Sequence, residues 1–192
     1  KGSIVYSTGT GKTEIAFECA NRAARIAAKR SVRLEQNAEN GTRNHPLTTA
    51  NQFNILFLVP RIVLIEQNIK RLIRYGLAKD YIGTYFGERK QIRQITIGTY
   101  HSIINSLDLI YGFDMVIFDE VHLVSDTANV LRGIFDTVKS GINLENNPKP
   151  WALLGLTATI DEVDTKYNTI LSLMPVVKRY MLIEEVLCVL YT

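Results

Sequence analysis

The stretch Ser3-Ile4-Val5-Tyr6-Ser7-Thr8-Gly9-Thr10-Gly11-Lys12-Thr13 decides how the rest of the 192-residue sequence is interpreted. It joins an apolar run, a glycine-containing loop and a segment of helical periodicity, the order of strand, loop and helix that a phosphate-binding loop needs. Glycines let backbone N–H groups turn towards phosphate oxygens, and the N-terminus of the helix adds its partial positive charge. The stretch therefore predicts a nucleotide site formed by Thr8, Gly9, Thr10, Gly11, Lys12 and Thr13.

The residue types in this loop assign individual roles. Lys12 is expected to reach the β- and γ-phosphates of ATP, and the Thr13 hydroxyl is expected to bind Mg²⁺. The full pattern has a glycine where Tyr6 stands, so the sequence departs from it at one position. The alternative interpretation of the loop alone is a glycine turn between strand and helix that carries Gly-Lys-Thr by coincidence.

A pair of acids follows a second apolar run, in the sequence Val116-Ile117-Phe118-Asp119-Glu120-Val121-His122. Ligands of open parallel sheets bind at the carboxyl ends of the strands, so the pair is expected at the same edge as the phosphate loop. Asp119 is predicted to hold Mg²⁺ with Thr13, and Glu120 to orient or deprotonate the attacking water. His122 is predicted to sense the nucleotide or to couple it to neighbouring segments. Taken alone, the two acids also fit a solvated strand end.

Apolar runs alternate with helix-period segments along the whole chain, which predicts an α/β fold with a mostly parallel sheet and helices on both faces. The runs at 55–59 and 115–118 are apolar without alternation, as strands buried on both faces are. Strands are predicted over 3–7, 55–59, 81–85, 94–98, 115–118, 151–156 and 176–182. Helices are predicted over 12–29, 61–75, 100–107, 127–139 and 161–173, with polar stretches at 34–54, a loop insertion, and at 140–150.

Composition restricts the class of protein. The net charge of +3 permits a nucleic-acid partner without indicating one, and the two cysteines, Cys19 and Cys188, fit a reducing compartment. No apolar run approaches the roughly 20 residues that span a bilayer, so we expect no membrane partner and a cytoplasmic or nuclear location. The start at Lys1 lacks a signal-peptide pattern, and we expect the chain to be one domain cut from a larger protein.

With these motifs in place, the chain resembles the first RecA-like lobe of a superfamily 2 helicase, a P-loop NTPase domain. Leu58-Val59-Pro60-Arg61, continuing to Gln67, resembles motif Ia of that family, and Thr96-Ile97-Gly98-Thr99-Tyr100 resembles motif Ib. Asp119-Glu120-Val121-His122 resembles a DEVH motif II, and Thr157-Ala158-Thr159 resembles motif III. The segments 82–90 and 175–185 are similar to those of the XPB/Rad25-like branch. Ile160 replaces the proline common after motif III, and an arginine of the branch is absent from 161–164.

The resemblance implies an ATP-dependent motor that acts on DNA, or alternatively on RNA. It implies that Pro60, Arg61, Gln67, Thr99 and Tyr100 contact nucleic acid, and that Thr157, Ala158 and Thr159 couple that contact to hydrolysis. For Arg61 and Tyr100 the alternatives are a solvated helix start and a packed aromatic. The resemblance also implies a second RecA-like lobe that supplies arginines, so we expect slow turnover by this lobe alone. Repair and transcription are the processes that it suggests.

Two other functions remain open at this stage. A catalytically idle, motor-like interaction module would share the fold, although Lys12, Thr13, Asp119 and Glu120 are all in place. A P-loop kinase for small molecules would share the phosphate loop, although it would have no use for motifs Ia, Ib and III.

Overall fold

The computed structural model describes residues 1–6, 11–38, 53–123, 129–142, 150 and 152–180, and these form an α/β fold. The strands are β1 (Gly2–Tyr6), β2 (Ile55–Val59), β3 (Ile82–Phe86), β4 (Arg89–Gln91), β5 (Ile95–Thr99), β6 (Met115–Asp119), β7 (Ala152–Thr157) and β8 (Val176–Tyr180). The α-helices are α1 (Lys12–Ala38), α2 (Ile62–Arg74), α3 (Tyr100–Ile104), α4 (Asn129–Ile142) and α5 (Asn168–Leu173).

The strands form one sheet in the order β4-β3-β5-β2-β6-β7-β1-β8. Neighbouring strands are parallel except β3 and β4, which are antiparallel. The predicted fold class, a mostly parallel sheet covered by helices, is therefore confirmed.

The central strands have side chains in hydrophobic cores on both faces of the sheet. In β2, Phe57 lies in the core that includes residues of α1 and α2, whereas its neighbours Leu56 and Leu58 lie in the core that includes residues of α3, α4 and α5. Strand β6 divides in the same way, with Ile117 on one side and Phe118 on the other. This double burial explains why the two strands are continuously apolar in sequence.

The structure differs from the predicted elements in three places. Strand β4 was not predicted, because Arg89–Gln91 is exposed and polar throughout. Helix α1 continues to Ala38, so the first residues of the predicted 34–54 insertion are helical, while 39–52 lie outside the described residues. The helix predicted over 161–173 is α-helical only over Asn168–Leu173, after a 3₁₀ turn at Thr165–Tyr167.

No helix in the described ranges is both long enough and apolar enough to cross a membrane.

Candidate functional site

Three parallel strands bring the predicted site residues to one edge of the sheet. Strand β7 lies between β6 and β1, and its register pairs Leu156 with Asp119 and Thr157 with Val5. The carboxyl ends of β6, β7 and β1 therefore stand side by side, and the segments that follow them meet. This is the edge at which the sequence predicted a nucleotide site.

Lys12 and Glu120 form an ion pair between the phosphate loop and the acidic motif. The Nζ of Lys12 donates to Oε1 of Glu120 at 3.0 Å, although the two residues are 108 positions apart in sequence. The Lys12 side chain is only 9% exposed, so its charge depends on this partner in the absence of a phosphate. Thr8, Gly9 and Thr10 lie outside the described residues, and their predicted contacts with phosphate stay predictions.

Gly11 and Glu120 both have left-handed backbone conformations beside this pair. Gly11 has φ +82°, which glycine adopts without a steric penalty. Glu120 has φ +50°, which costs a residue with a side chain roughly 1–2 kcal/mol. The Glu120 N–H donates to Oδ1 of Asp119 at 3.1 Å, and its carbonyl accepts from Leu123 at 2.9 Å. These bonds and the ion pair with Lys12 hold the strained turn that points Glu120 into the site.

Asp119 is a buried carboxyl group in an acidic environment. Burial, and after it the charge of Glu120, raise the pKa of Asp119 from 3.8 to about 6, against the opposing charges of Lys12 and Arg71. Its side chain is 9% exposed. An ionised Asp119 at neutral pH therefore lacks part of the positive charge that would balance it, and a bound cation would supply it.

The residues at this edge fit the Mg²⁺ predicted from the sequence. Mg²⁺ prefers oxygen ligands and is usually bound by one or two carboxylates together with substrate phosphates. Asp119 and Thr13 offer a carboxylate and a hydroxyl oxygen, both on side chains that are largely buried. In the described part of the chain, no cluster of three or more His, Cys, Asp or Glu residues could hold a metal. A Mg²⁺ ion here would take nucleotide phosphates and water as its remaining ligands.

His122 connects the acidic motif to Thr157 of β7. Its Nδ1 lies 2.8 Å from Oγ1 of Thr157 and 3.5 Å from Oε2 of Glu120. The Thr157 hydroxyl donates to the carbonyl of Thr159 at 2.9 Å, so its single proton is already used. Nδ1 must then be the donor towards Thr157, which fixes the tautomer of the imidazole. Burial lowers the pKa of His122 against the charge of Glu120, which favours the neutral form of the ring.

Thr157 is the centre of the predicted coupling motif. Its hydroxyl oxygen accepts from the N–H of Thr159 at 3.2 Å and from His122, and the side chain is fully buried. Ala158 lies between the two threonines at the end of β7 and is half-buried. The structure thus joins Glu120, His122 and Thr157 in one chain of polar contacts. The coupling role expected of Thr157, Ala158 and Thr159 stays a prediction.

The residues predicted to contact nucleic acid divide into exposed and buried groups. Arg61 and Gln67 are exposed on α2, and Pro60 is half-buried at the end of β2. Arg61 stands at the N-cap of α2, where Ile62 and Val63 are also exposed, by 53% and 59%. These positions leave the side chains of Arg61 and Gln67 accessible to a ligand.

Tyr100 is 1% exposed, so the predicted contact with nucleic acid is not available to its side chain in this arrangement. The phenol donates to the carbonyl of Asp119 at 2.7 Å, and its ring stacks on Phe118 with centroids 6.4 Å apart. Burial raises the pKa of Tyr100 well above its ordinary value, so the group remains a hydrogen-bond donor. Tyr100 is the packed aromatic of the alternative interpretation, and it supports the backbone of the acidic motif.

Thr99 is 5% exposed and caps helix α3. Its Oγ1 accepts from the N–H of Ser102 at 3.3 Å and lies 2.9 Å from the Ser102 hydroxyl. The hydroxyl is therefore engaged in the helix cap, and the predicted side-chain contact of Thr99 with phosphate is not available in this arrangement.

Arg71 is a site residue that the sequence analysis missed. Its Nη1 donates to Oγ1 of Thr13 at 2.8 Å, and its Nε lies 3.9 Å from Oε1 of Glu14. Arg71 belongs to α2, 58 positions away from Thr13. A basic residue in a helix gives no local signal of such a contact, which only the packing of α1 beside α2 creates.

The sequence matches a known family over most of its length. The profile of the family described as "Type III restriction enzyme, res subunit" matches residues 1–162. The chain is also similar to the "DNA 3'-5' helicase XPB" of Mycobacterium tuberculosis, with 36% identity over 135 residues, which is 65% of this chain and 22% of that protein. The chain thus spans about a fifth of the length of the curated relatives that it matches.

Two solved structures with a similar fold are a helicase domain and an ATPase core. The Pyrococcus furiosus Hef helicase domain superposes with a TM-score of 0.61 at 20% identity, covering 94% of this chain and 34% of that one. The Sulfolobus solfataricus SWI2/SNF2 ATPase core, solved in complex with double-stranded DNA, superposes with a TM-score of 0.57 at 14% identity, covering 90% and 31%. These similarities confirm the RecA-like fold predicted from the sequence.

Proposed function

Since this chain belongs to the family of the type III restriction enzyme res subunit, we propose that it is the ATP-binding lobe of an XPB-like DNA motor that hydrolyses ATP to move on or remodel DNA. The domain is the first of two motor lobes in this proposal. DNA as the track is supported by the names of the relatives, which are DNA helicases, and by the DNA complex among the proteins of similar fold.

The observation that carries the proposal is the convergence of Lys12, Thr13, Asp119 and Glu120 at one edge of the sheet. The phosphate loop and the acidic motif are far apart in sequence. If the two acids were only a solvated strand end, no contact with a buried lysine would be expected. The 3.0 Å ion pair shows that the two motifs face the same small volume. A triphosphate placed there would have a cation, a metal-binding pair and a base within reach.

Binding of ATP requires Lys12 to exchange Glu120 for phosphate oxygens. The exchange keeps the buried charge of Lys12 paired and frees the Glu120 carboxylate. Once released, Glu120 can accept a hydrogen bond from a water in line with the γ-phosphate and orient it for attack. Asp119 and Thr13 would hold Mg²⁺, which would supply neutralising charge for the nucleotide phosphates.

The polar contacts from Glu120 to Thr157 provide a route from hydrolysis to the nucleic-acid surface. A change in the position of Glu120 alters its contact with His122, which donates to the Thr157 hydroxyl. We assign Arg61, Gln67 and the turn at Pro60 as the nucleic-acid contacts on this lobe, because the two side chains are exposed. A guanidinium binds backbone phosphates without reading sequence, as a translocating motor requires.

A second motor lobe completes the catalytic site in this proposal. Motors that transfer phosphoryl groups to water gain a large share of their rate from an arginine that another lobe or protein supplies. The guanidinium of Arg71 contacts Thr13 and Glu14, on the nucleotide-binding side of this lobe. We therefore expect slow basal hydrolysis from this lobe alone and fast, nucleic-acid-stimulated hydrolysis in the presence of the second lobe.

The test is ATP hydrolysis by the full-length protein with no nucleic acid, single-stranded DNA, duplex DNA or RNA. We expect stimulation by DNA that disappears in Lys12→Ala, since that variant loses the phosphate contact. Lys139→Ala, at an exposed position of α4, removes the same charge and should keep the stimulation.

Two results would contradict the proposal. Nucleotide binding with no stimulation by any nucleic acid would favour the interaction module, in which the fold serves partners without turnover. Transfer of phosphate to a small-molecule acceptor, without nucleic acid, would favour the kinase. Stimulation by RNA alone would be consistent with an ATP-dependent motor, but one that moves on RNA and not on DNA.

A further inference from the structure

We propose that Arg71 is a positioning residue of the nucleotide site, which holds the Thr13 hydroxyl in the orientation that binds Mg²⁺. This inference rests on the proposed function, because it concerns the same phosphate site. It adds a residue from α2 to a site whose other members come from the phosphate loop, β6 and the segment after β6.

The contact between Arg71 and Thr13 is specific in its geometry. Arg71 reaches across from α2 and donates to Oγ1 of Thr13 at 2.8 Å. Thr13 is 7% exposed, so few other groups can approach its hydroxyl. The Glu14 carboxylate lies 3.9 Å from Nε of the same guanidinium and helps to hold it over the start of α1. The Thr13 end of the contact is therefore enclosed, and the Arg71 end is partly exposed beside Glu14.

The hydrogen bond determines which part of the Thr13 hydroxyl remains free. A threonine near a helix terminus can turn its hydroxyl back to a carbonyl of the preceding turn, which takes the proton and orients the oxygen along the helix. Arg71 instead donates to the oxygen and occupies one of its two lone pairs. The remaining lone pair is available for a cation, and the rotamer is fixed before the metal arrives.

Arginine suits this task better than a shorter or more mobile donor. Its guanidinium is planar, always charged and able to donate to Thr13 and face Glu14 at the same time. A lysine at the same position keeps the charge but presents a point-like ammonium on a flexible stem. Lys12 already supplies the positive charge at the phosphates. The main contribution of Arg71 is therefore the orientation of the Thr13 hydroxyl, and its net charge matters less.

The experiment measures the affinity of the full-length protein for a fluorescent ADP analogue in Mg²⁺ and in EDTA. The ratio of the two dissociation constants gives the gain in affinity that Mg²⁺ provides. Arg71→Ala is expected to reduce this gain about ten-fold, the lower end for one charge-assisted hydrogen bond, and to change binding in EDTA by less than about two-fold. Arg71→Lys should restore part of the gain.

Arg74→Ala is the matched control. It removes an arginine one turn away on α2, in an exposed position, and should leave the gain unchanged. A second test uses Thr13→Ala, which removes the hydroxyl itself. In that background Arg71→Ala should have no further effect on the gain, whereas a purely structural role for Arg71 would still appear. Urea unfolding of each variant reports whether the fold is retained.

Two outcomes would overturn the inference. One is a gain in Arg71→Ala equal to that of Arg74→Ala. The other is an equal loss of affinity in Mg²⁺ and in EDTA, which would make Arg71 a general phosphate or packing contact. Failure of the proposed function looks different, because the unmodified protein would then fail to bind the nucleotide, or would bind it without any stimulation of hydrolysis by nucleic acid, whatever the behaviour of Arg71→Ala.

Discussion

Replacing Asp119 by Asn is expected to stabilise the protein at pH 8 while removing its magnesium-dependent nucleotide binding. Asp119 is buried beside Glu120, and these two influences raise its pKa from 3.8 to about 6. Above pH 6 the folded protein therefore holds a carboxylate that would be more stable in water. An amide of the same shape removes that charge and keeps the acceptor for the Glu120 N–H.

The magnitude follows from proton linkage. A folded-state pKa raised above the unfolded value means that the folded state binds the proton more tightly. Asp119 then contributes stability that is fully present below pH 3.8 and is lost as the pH rises through about 6. A shift of roughly two units corresponds to about 3 kcal/mol. We expect Asp119→Asn to exceed the unmodified protein in free energy of unfolding by about that amount at pH 8, and by almost nothing at pH 4.

Urea denaturation of both proteins at a series of pH values, without nucleotide or Mg²⁺, measures this difference directly. Taking the difference cancels the titration of every group that the two proteins share. Asp136→Asn, at an exposed position of α4, is the control and should stay within about 0.5 kcal/mol at every pH. Two results would refute the electrostatic explanation. One is that Asp119→Asn and the unmodified protein have the same free energy of unfolding at pH 8. The other is that the two free energies differ by the same amount at pH 4 and at pH 8.

Three further predictions concern neighbouring residues. Glu120→Gln should lower hydrolysis at least ~100-fold in a steady-state assay, because the base is lost. It should also tighten nucleotide binding in a titration, because a neutral partner releases Lys12 more easily. His122→Ala removes the donor to Thr157 and should abolish stimulation by nucleic acid while leaving the basal hydrolysis rate within about three-fold. Gly11→Ala should lower the free energy of unfolding in urea by about 1–2 kcal/mol, the cost of φ +82° for alanine.

Each of these predictions has its own contrary result. Weaker nucleotide binding by Glu120→Gln would mean that the ion pair does not compete with phosphate. Equal losses of basal and stimulated rates in His122→Ala would place His122 in the chemical step. For Gly11→Ala the control is Gly112→Ala, where an added Cβ meets no atom within 4 Å, and an equal loss in both variants would exclude backbone strain.

The sequence predicted the parts of the fold whose signal is local. Strands β2 and β6 could be identified because side chains on both of their faces are buried, which leaves only apolar residues at 55–59 and 115–118. The phosphate loop and the acidic motif could be placed at one edge because parallel strands end there together. The meeting of Lys12 with Glu120 follows from that topology.

The errors arise where side chains compete with the backbone or where no apolar pattern exists. The helix predicted over 161–173 begins late, because Asp161 accepts from the N–H of Val163 and Asp164 from that of Lys166. Such bonds compete with helical ones and favour turns. The hairpin that joins β3 to β4 has one signal in the sequence, which is Gly87. In the structure this glycine has φ +49°, which suits the first position of a two-residue turn.

Other features depend on packing and could not be predicted. The burial of Tyr100 places its hydroxyl under the carbonyl of Asp119, and nothing in the local sequence distinguishes that position from an exposed one. The pKa of Asp119 depends on how deeply β6 is covered, and the contact of Arg71 with Thr13 depends on the approach of two helices.

The short strand β4 also affects how copies of this protein behave towards one another. A long, flat strand at the border of a sheet leaves unpaired N–H and C=O groups that can recruit the border of a second molecule and begin aggregation. Strand β4 has three residues, all exposed, and Arg89 and Lys90 are positively charged. Bringing two such borders together would oppose like charges over a very short ladder. This end of the sheet is thereby protected against self-association.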